Sequence, residues 1–255
     1  GLKGRTLCWS ERLRWCWQIL RYGRPWSDFV ILSEENQTGS VTAYEVDKLT
    51  GNLQLLNKQN IIGQGPCYVS YHIPSKTVYT ANYSSGSVTV FKTNEDGSLQ
   101  IASQHIKYAG SSINKNRQEG PHAHCAVVSP DNQYLYVSDL GTDIINRHKI
   151  NSNGSIEEKA VQFKVEAGNG PRHIVFNKQG SYAYSINEMK GTVDAFVVEE
   201  AGLKKIQTII KQQEEEETRM DSLLDKLHRE GFKSLTEEEH RFMKRFSDRY
   251  KNRSQ

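Results

Sequence analysis

GPHAHCAVVSPDNQYLYVSD, from Gly120 to Asp139, holds two short apolar-alternating runs separated by Ser-Pro-Asp-Asn. Alternation at period two marks a half-buried strand, and a Pro-Asp-Asn cluster marks a tight connection, so the stretch predicts an antiparallel hairpin. The same pattern returns at Gly65 as GPCYVSYHIPSKTVYTAN and at Gly170 as GPRHIVFNKQGSYAYSIN. Working outward, a further alternating segment recurs at intervals of about 50 residues: SVTAYEV at Ser40, SVTVFKT at Ser87, IINRHKI at Ile144 and TVDAFVV at Thr192. Three of these run into turn signals, TGNL at Thr50, EDGSL at Glu95 and NSNGSI at Asn151, each leading to another short strand. Four antiparallel strands in a unit of about 50 residues is the pattern of a β-propeller blade.

The repeat divides the chain into three zones. Residues 1–31 hold all four tryptophans and many arginines. Trp9, Leu13, Cys16, Trp17 and Leu20 fall at helical spacing, which predicts an amphipathic helix ending near Gly23-Arg24-Pro25. Tryptophan with arginine suits a membrane surface or a partner protein, and equally a helix packed on its own chain. Residues 32–210 are the repeat. Residues 211–255 are a charged tail, predicted as a helical hairpin broken at Gly231, with apolar stripes at Leu223, Leu224 and Leu227 and at Phe242, Met243, Phe246 and Tyr250. Thr236 with Glu239 fits a capping box. The tail resembles the small helical tail of some bacterial rhomboid-like membrane proteins, a likeness that implies no chemistry.

Composition narrows the function classes. A net charge of +3 over 255 residues, with no basic cluster in the repeat, argues against a nucleic-acid partner. Cys8, Cys16, Cys67 and Cys125 include no C-x-x-C pair and no zinc or iron–sulfur spacing, so no metal is expected. Their sparse use favours a reducing compartment. Apolar runs stay short of the roughly 18 residues of a membrane span, and the opening residues lack a secretory pattern, giving the expectation of a cytoplasmic protein.

RQEGPHAH (Arg117 to His124), SPDNQYLYVSDLG, GPRHIVF and INE, in that order and spacing, resemble the lactonase family of seven-bladed propellers. That group contains the bacterial propeller-type 6-phosphogluconolactonase and is similar to fungal carboxymuconate-lactonizing enzymes. The resemblance runs from about Glu34 to Ile209 and implies hydrolysis of a sugar lactone, typically 6-phosphogluconolactone, without an organic cofactor. Seven blades need about 350 residues, and the repeat here supplies three to four. The expected fold is therefore mainly β: a partial propeller flanked by an N-terminal helix and a C-terminal hairpin.

In a propeller the first strand of each blade lines the central channel, so residues beside the Gly-Pro pairs should share one rim: Cys67 and Tyr68, His122 to His124, Arg172 and His173, with Glu188 returning after the next strand. Opening a lactone requires an activated water, stabilisation of the carbonyl oxygen and a proton for the leaving alkoxide. The resemblance implies His124 or His173 as general base, Arg172 as clamp on the carbonyl oxygen or a phosphate, and Glu188 as proton shuttle or orienting partner. Arg117 is a second phosphate ligand, since a guanidinium grips two oxygens, and His122 a further substrate contact. Simpler readings stand beside these: His122 as a turn residue, Glu119 as ion-pair partner of Arg117, Tyr79, Tyr136 and Tyr184 as packing between blades, and Gly39, Gly86, Gly141 and Gly191 as tight turns. The rival function is a non-catalytic scaffold whose open blade edges self-associate or bind a partner.

Overall fold

The computed structural model describes residues 19–21, 29–34, 39–47, 49–209, 212–231 and 234–251. They form four antiparallel sheets of four strands, followed by two helices. The first sheet contains β1 (Ile19–Arg21), β2 (Phe29–Glu34), β3 (Ser40–Val46) and β4 (Leu53–Asn60). The second contains β5 (Pro66–His72), β6 (Thr77–Asn82), β7 (Ser87–Thr93) and β8 (Leu99–Lys107). The third contains β9 (Ala123–Val128), β10 (Tyr134–Asp139), β11 (Ile144–Lys149) and β12 (Val161–Lys164). The fourth contains β13 (Pro171–Phe176), β14 (Tyr182–Asn187), β15 (Thr192–Glu199) and β16 (Gly202–Ile209). Within every sheet spatial order follows chain order, the plain meander of a propeller blade.

One expectation is corrected here. The helical spacing puts Leu20 on a helix, but Ile19–Arg21 pairs antiparallel with β2, and β2 itself begins before residue 32. The first blade therefore reaches back into the tryptophan-rich zone. A three-residue strand is too short to show its own periodicity, and only its pairing with β2 reveals it. Residues 1–18, with Trp9, Leu13, Cys16 and Trp17, lie outside the described residues.

The first strands of successive sheets lie against one another, β1 on β5, β5 on β9 and β9 on β13. Three apolar seams fill the space between sheets. Ile31, Val41 and Ala43 meet Val69, Val78 and Phe91; Tyr79, Val88 and Val90 meet Ala126, Leu135 and Val137; Cys125, Tyr136 and Ile145 meet Ile174, Ala183 and Phe196. Each seam takes alternate residues from both sheets, as the period-two pattern requires. At the outer ends a side-chain amide continues the ladder into the next blade. Asn57 exchanges two hydrogen bonds with the backbone of Leu99, and Gln104 does the same with Ile156.

The hairpin forms as expected, with α1 (Gln212–Glu230) and α2 (Glu237–Lys251) packed through Leu223, Leu235 and Phe242. Gly231, at φ 79°, ends α1 in the left-handed conformation that glycine adopts without steric cost. The capping box is complete: Glu239 N donates to Thr236 Oγ1 at 3.2 Å, and Thr236 N to Glu239 Oε2 at 2.7 Å. Among the described residues no helix is long and apolar enough to cross a membrane.

Candidate active site

Three β-bulges build the rim. Where the first strand of a blade pairs with the second, one residue is left without a cross-strand partner: Cys67 in the second blade, His124 in the third and Arg172 in the fourth. A bulge bends its strand and re-aims the extra side chain. Backbone bonds fix the same register, because Tyr83, Leu140 and Glu188 donate N–H to the carbonyls of Gly65, His122 and Gly170 respectively. His122, not Gly120, is thus the counterpart of Gly65 and Gly170. The Gly-Pro pair of the third blade sits two residues upstream of the others and packs elsewhere: a Cβ added at Gly86 would come within 2.5 Å of Pro121 Cβ, and one at Gly141 within 2 Å of the Gly120 carbonyl oxygen.

The register brings all six candidate residues together. Arg172 Nε–H donates to His124 Nε2 at 3.0 Å, and the same nitrogen lies 3.1 Å from Glu188 Oε2. Arg117 Nη2 donates to Glu188 Oε1 at 2.8 Å and to the Tyr83 hydroxyl at 3.3 Å. Glu188 is therefore held by two arginines from different blades, and Glu119 is not the partner of Arg117; it lies 3.1 Å from His122 Nε2 instead. The opposite ring nitrogen of His122 donates to the Tyr83 carbonyl at 3.1 Å, and its ring stacks on Tyr83 with centroids 4.5 Å apart. His124 and His173 meet edge to face at 5.2 Å, with Tyr83 against the first and Tyr68 against the second.

Electrostatics separates the roles. Burial, helped by the nearby Arg172 charge, pushes His124 down to about 4, and the same two causes lower His173. Both imidazoles are neutral near pH 7. Burial would raise Glu188, but the Arg117 hydrogen bond and the charges of Arg172 and Arg117 outweigh it, so the carboxylate sits below its ordinary value and is ionised. Because His124 Nε2 accepts from Arg172, its Nδ1 carries the proton, and that nitrogen is buried with no partner among the described residues. Among the described residues no cluster of three or more His, Cys, Asp or Glu could hold a metal ion.

Three residues of the assembly were not singled out from sequence. Tyr83 occupies the position of Glu188 two blades earlier, immediately after the second strand. Gln118 is fully buried beside Arg117 and donates to the Leu140 carbonyl at 2.9 Å and to Asp143 Oδ2 at 2.8 Å. Asp143 in turn accepts from Gly168 N and Gly170 N, each at 2.7 Å. Superposing the repeats by cross-strand register, not by the Gly-Pro pairs, exposes Tyr83 and Asp143; Gln118 sits in a connection with no counterpart in the other blades.

A four-bladed meander array with a shared rim defines a partial β-propeller. The chain belongs to the lactonase family of seven-bladed β-propellers, whose family model matches residues 28–222. Among curated relatives it is 34% identical over 178 residues to the 6-phosphogluconolactonase of Formosa agariphila, covering 69% of this chain and 50% of the relative. It is 40% identical over 157 residues to the 6-phosphogluconolactonase of Bacillus subtilis, covering 62% and 44%. The solved periplasmic gluconolactonase of Pseudomonas aeruginosa is 27% identical with a TM-score of 0.68, over 75% of this chain and 56% of that one. The chain thus spans about half the length of the curated relatives it matches. The likeness of the tail to rhomboid-like proteins gains nothing from these comparisons.

Proposed function

We propose that the chain hydrolyses a sugar lactone, with 6-phosphogluconolactone the first substrate to test and water the only co-reactant. The observation that carries this reading is the meeting of a cationic clamp, two neutral imidazoles and an ionised carboxylate on one rim. His173 is the better base of the two histidines, because the described residues give its ring edge contacts but no hydrogen bond, whereas His124 Nε2 is occupied by Arg172. It takes a proton from water as the oxygen attacks the lactone carbonyl. Arg172 turns toward the developing oxyanion, and the protonated imidazole returns its proton to the ring oxygen as the ester bond breaks. Glu188, held between two arginines, orients them and is a poor proton donor. Arg117, half-exposed, is free to exchange the Tyr83 hydroxyl for a substrate phosphate. Cys125, fully buried and outside any disulfide, fits a cytoplasmic site of action.

Lactone opening is measured by coupling the product acid to its dehydrogenase. Arg172→Ala should lower the rate by about 100-fold or more, and Arg117→Ala should raise KM for the phosphorylated lactone more than for gluconolactone. A rate no faster than spontaneous opening of either lactone sinks the proposal.

A second reading, association of two copies, rests on the fourth blade. Val175, Tyr182, Tyr184 and Ile186 are exposed on the face that, in the second and third blades, is buried by the next sheet. The occupant we propose is a second copy of this chain, whose own exposed blade face would continue the run of seams. Sedimentation should then give a dimer that Tyr184→Lys converts to monomer; a monomer at tens of micromolar excludes it.

A further inference from the structure

The turn between the second and third strands is built alike in the second and fourth blades. Counting from the register pair that closes it, its last residue is Gly86 in one and Gly191 in the other, at φ 57° and 65°. Asp143 holds the same place in the third blade, between Asp139 and Ile144, at φ 56°. Gly141, the glycine that sequence suggested for this turn, is two residues early. An L-residue in the left-handed region costs about 1 kcal/mol relative to glycine, less for Asp than for most. Such strain persists where the side chain does something glycine cannot.

Asp143 is 3% exposed, and its carboxylate receives three N–H groups from two separate segments. Gly168 N and Gly170 N belong to the connection that enters β13, two residues before the bulge that presents Arg172. Gln118 Nε2 belongs to the loop that presents Arg117 on the adjoining residue. Both arginines that grip Glu188 are thereby tied to one buried carboxylate, which touches none of the reacting groups itself.

We propose that Asp143 is a positioning residue: through Gln118 and the Gly168–Gly170 backbone it sets the spacing of Arg117 and Arg172 around Glu188 and His124. The kinetic part of this proposal rests on the lactonase reading; the spectroscopic part does not. Asp143→Gly is the informative variant, because it restores the residue that the other two turns use and removes only the carboxylate. Measured well below its melting temperature, it should show kcat lowered about 10- to 100-fold and, because Arg117 is displaced as well, KM raised for the phosphorylated lactone more than for gluconolactone. Histidine NMR should show the His124 titration moving upward, since Arg172 no longer sits against its Nε2. Asp143→Asn keeps one acceptor oxygen and should fall between the two; it carries the same measurements should Asp143→Gly fail to fold. If wild-type protein opens no lactone, the function proposed above fails while the titration still decides the positioning role. A folded Asp143 variant with unchanged His124 titration overturns the proposal, as does a variant whose melting temperature falls while kcat stays at the wild-type value.

Discussion

Tyr136 and Tyr184 stand at the same register position in consecutive blades, each opposite the third strand through its second-strand pairing, yet Tyr136 is 1% exposed and Tyr184 is 39%. Tyr79, the counterpart in the second blade, is 0% exposed. Recurrence at the blade period suggested one packing role for all three. The difference lies outside each blade: Tyr79 and Tyr136 are covered by the sheet that follows, whereas β16 is followed by the helices α1 and α2. A tyrosine on a blade face is buried by its neighbour, not by its own sheet.

Three measurements can break or sharpen that comparison. The largest effect should come from Tyr136→Ala, which opens a cavity in the seam between the third and fourth blades and should cost roughly 3–5 kcal/mol by denaturant unfolding, against under about 1 for Tyr184→Ala. Equal costs would mean that the fourth blade's face is covered in solution.

Acid should act next on the rim of the same seam. The folded-state value of His124 lies below its unfolded one, so between about 6.5 and 4 the unfolded chain binds more protons than the folded one. Stability contributed by this ring is present above that window and is lost as pH falls through it, on the order of 3 kcal/mol. His124→Gln should flatten the acid slope; a slope unchanged by the substitution would place the acid sensitivity elsewhere. His173, less buried, should contribute in the same direction and by less.

The smallest effect belongs to the hairpin. Thr236→Ala removes a cap from α2 and should weaken that helix by about 1 kcal/mol. Amide exchange should rise in α1 and α2 and stay constant in the seams, since the hairpin core is its own three-residue cluster. Exchange rising in the blades as well would show that hairpin and propeller unfold as one unit.

Much of the fold was legible because its signals are local. Strands β3, β7 and β15 begin where period-two alternation begins, the Glu-Asp-Gly and Asn-Gly turns close where expected, and the Thr236–Glu239 box caps α2 as read. The six rim residues were picked out by motif, but how they meet was not. Gly-Pro at Gly120 matches Gly65 and Gly170 in sequence, and only the pairing of Ala123 with Asp139 shows that His122 and Ala123 hold those places and that His124 is the bulged residue. Glu119 looked like the partner of Arg117 because it is near in sequence. Glu188, which opens the turn after β14, brings a carboxylate from another blade to 2.8 Å from Arg117.

The sequence by itself determined the blade unit, its repetition and the residue types on its rim, because alternation and turn chemistry are properties of a few adjacent residues. Tertiary structure decided which residue each bulge presents, that Asp143 and Gln118 bind two loops together, and that Tyr136 is covered by the next sheet while Tyr184 is exposed within the chain. Those outcomes depend on cross-strand register and on neighbouring sheets, and a side chain's burial or charge partner is a property of what lies across from it in space.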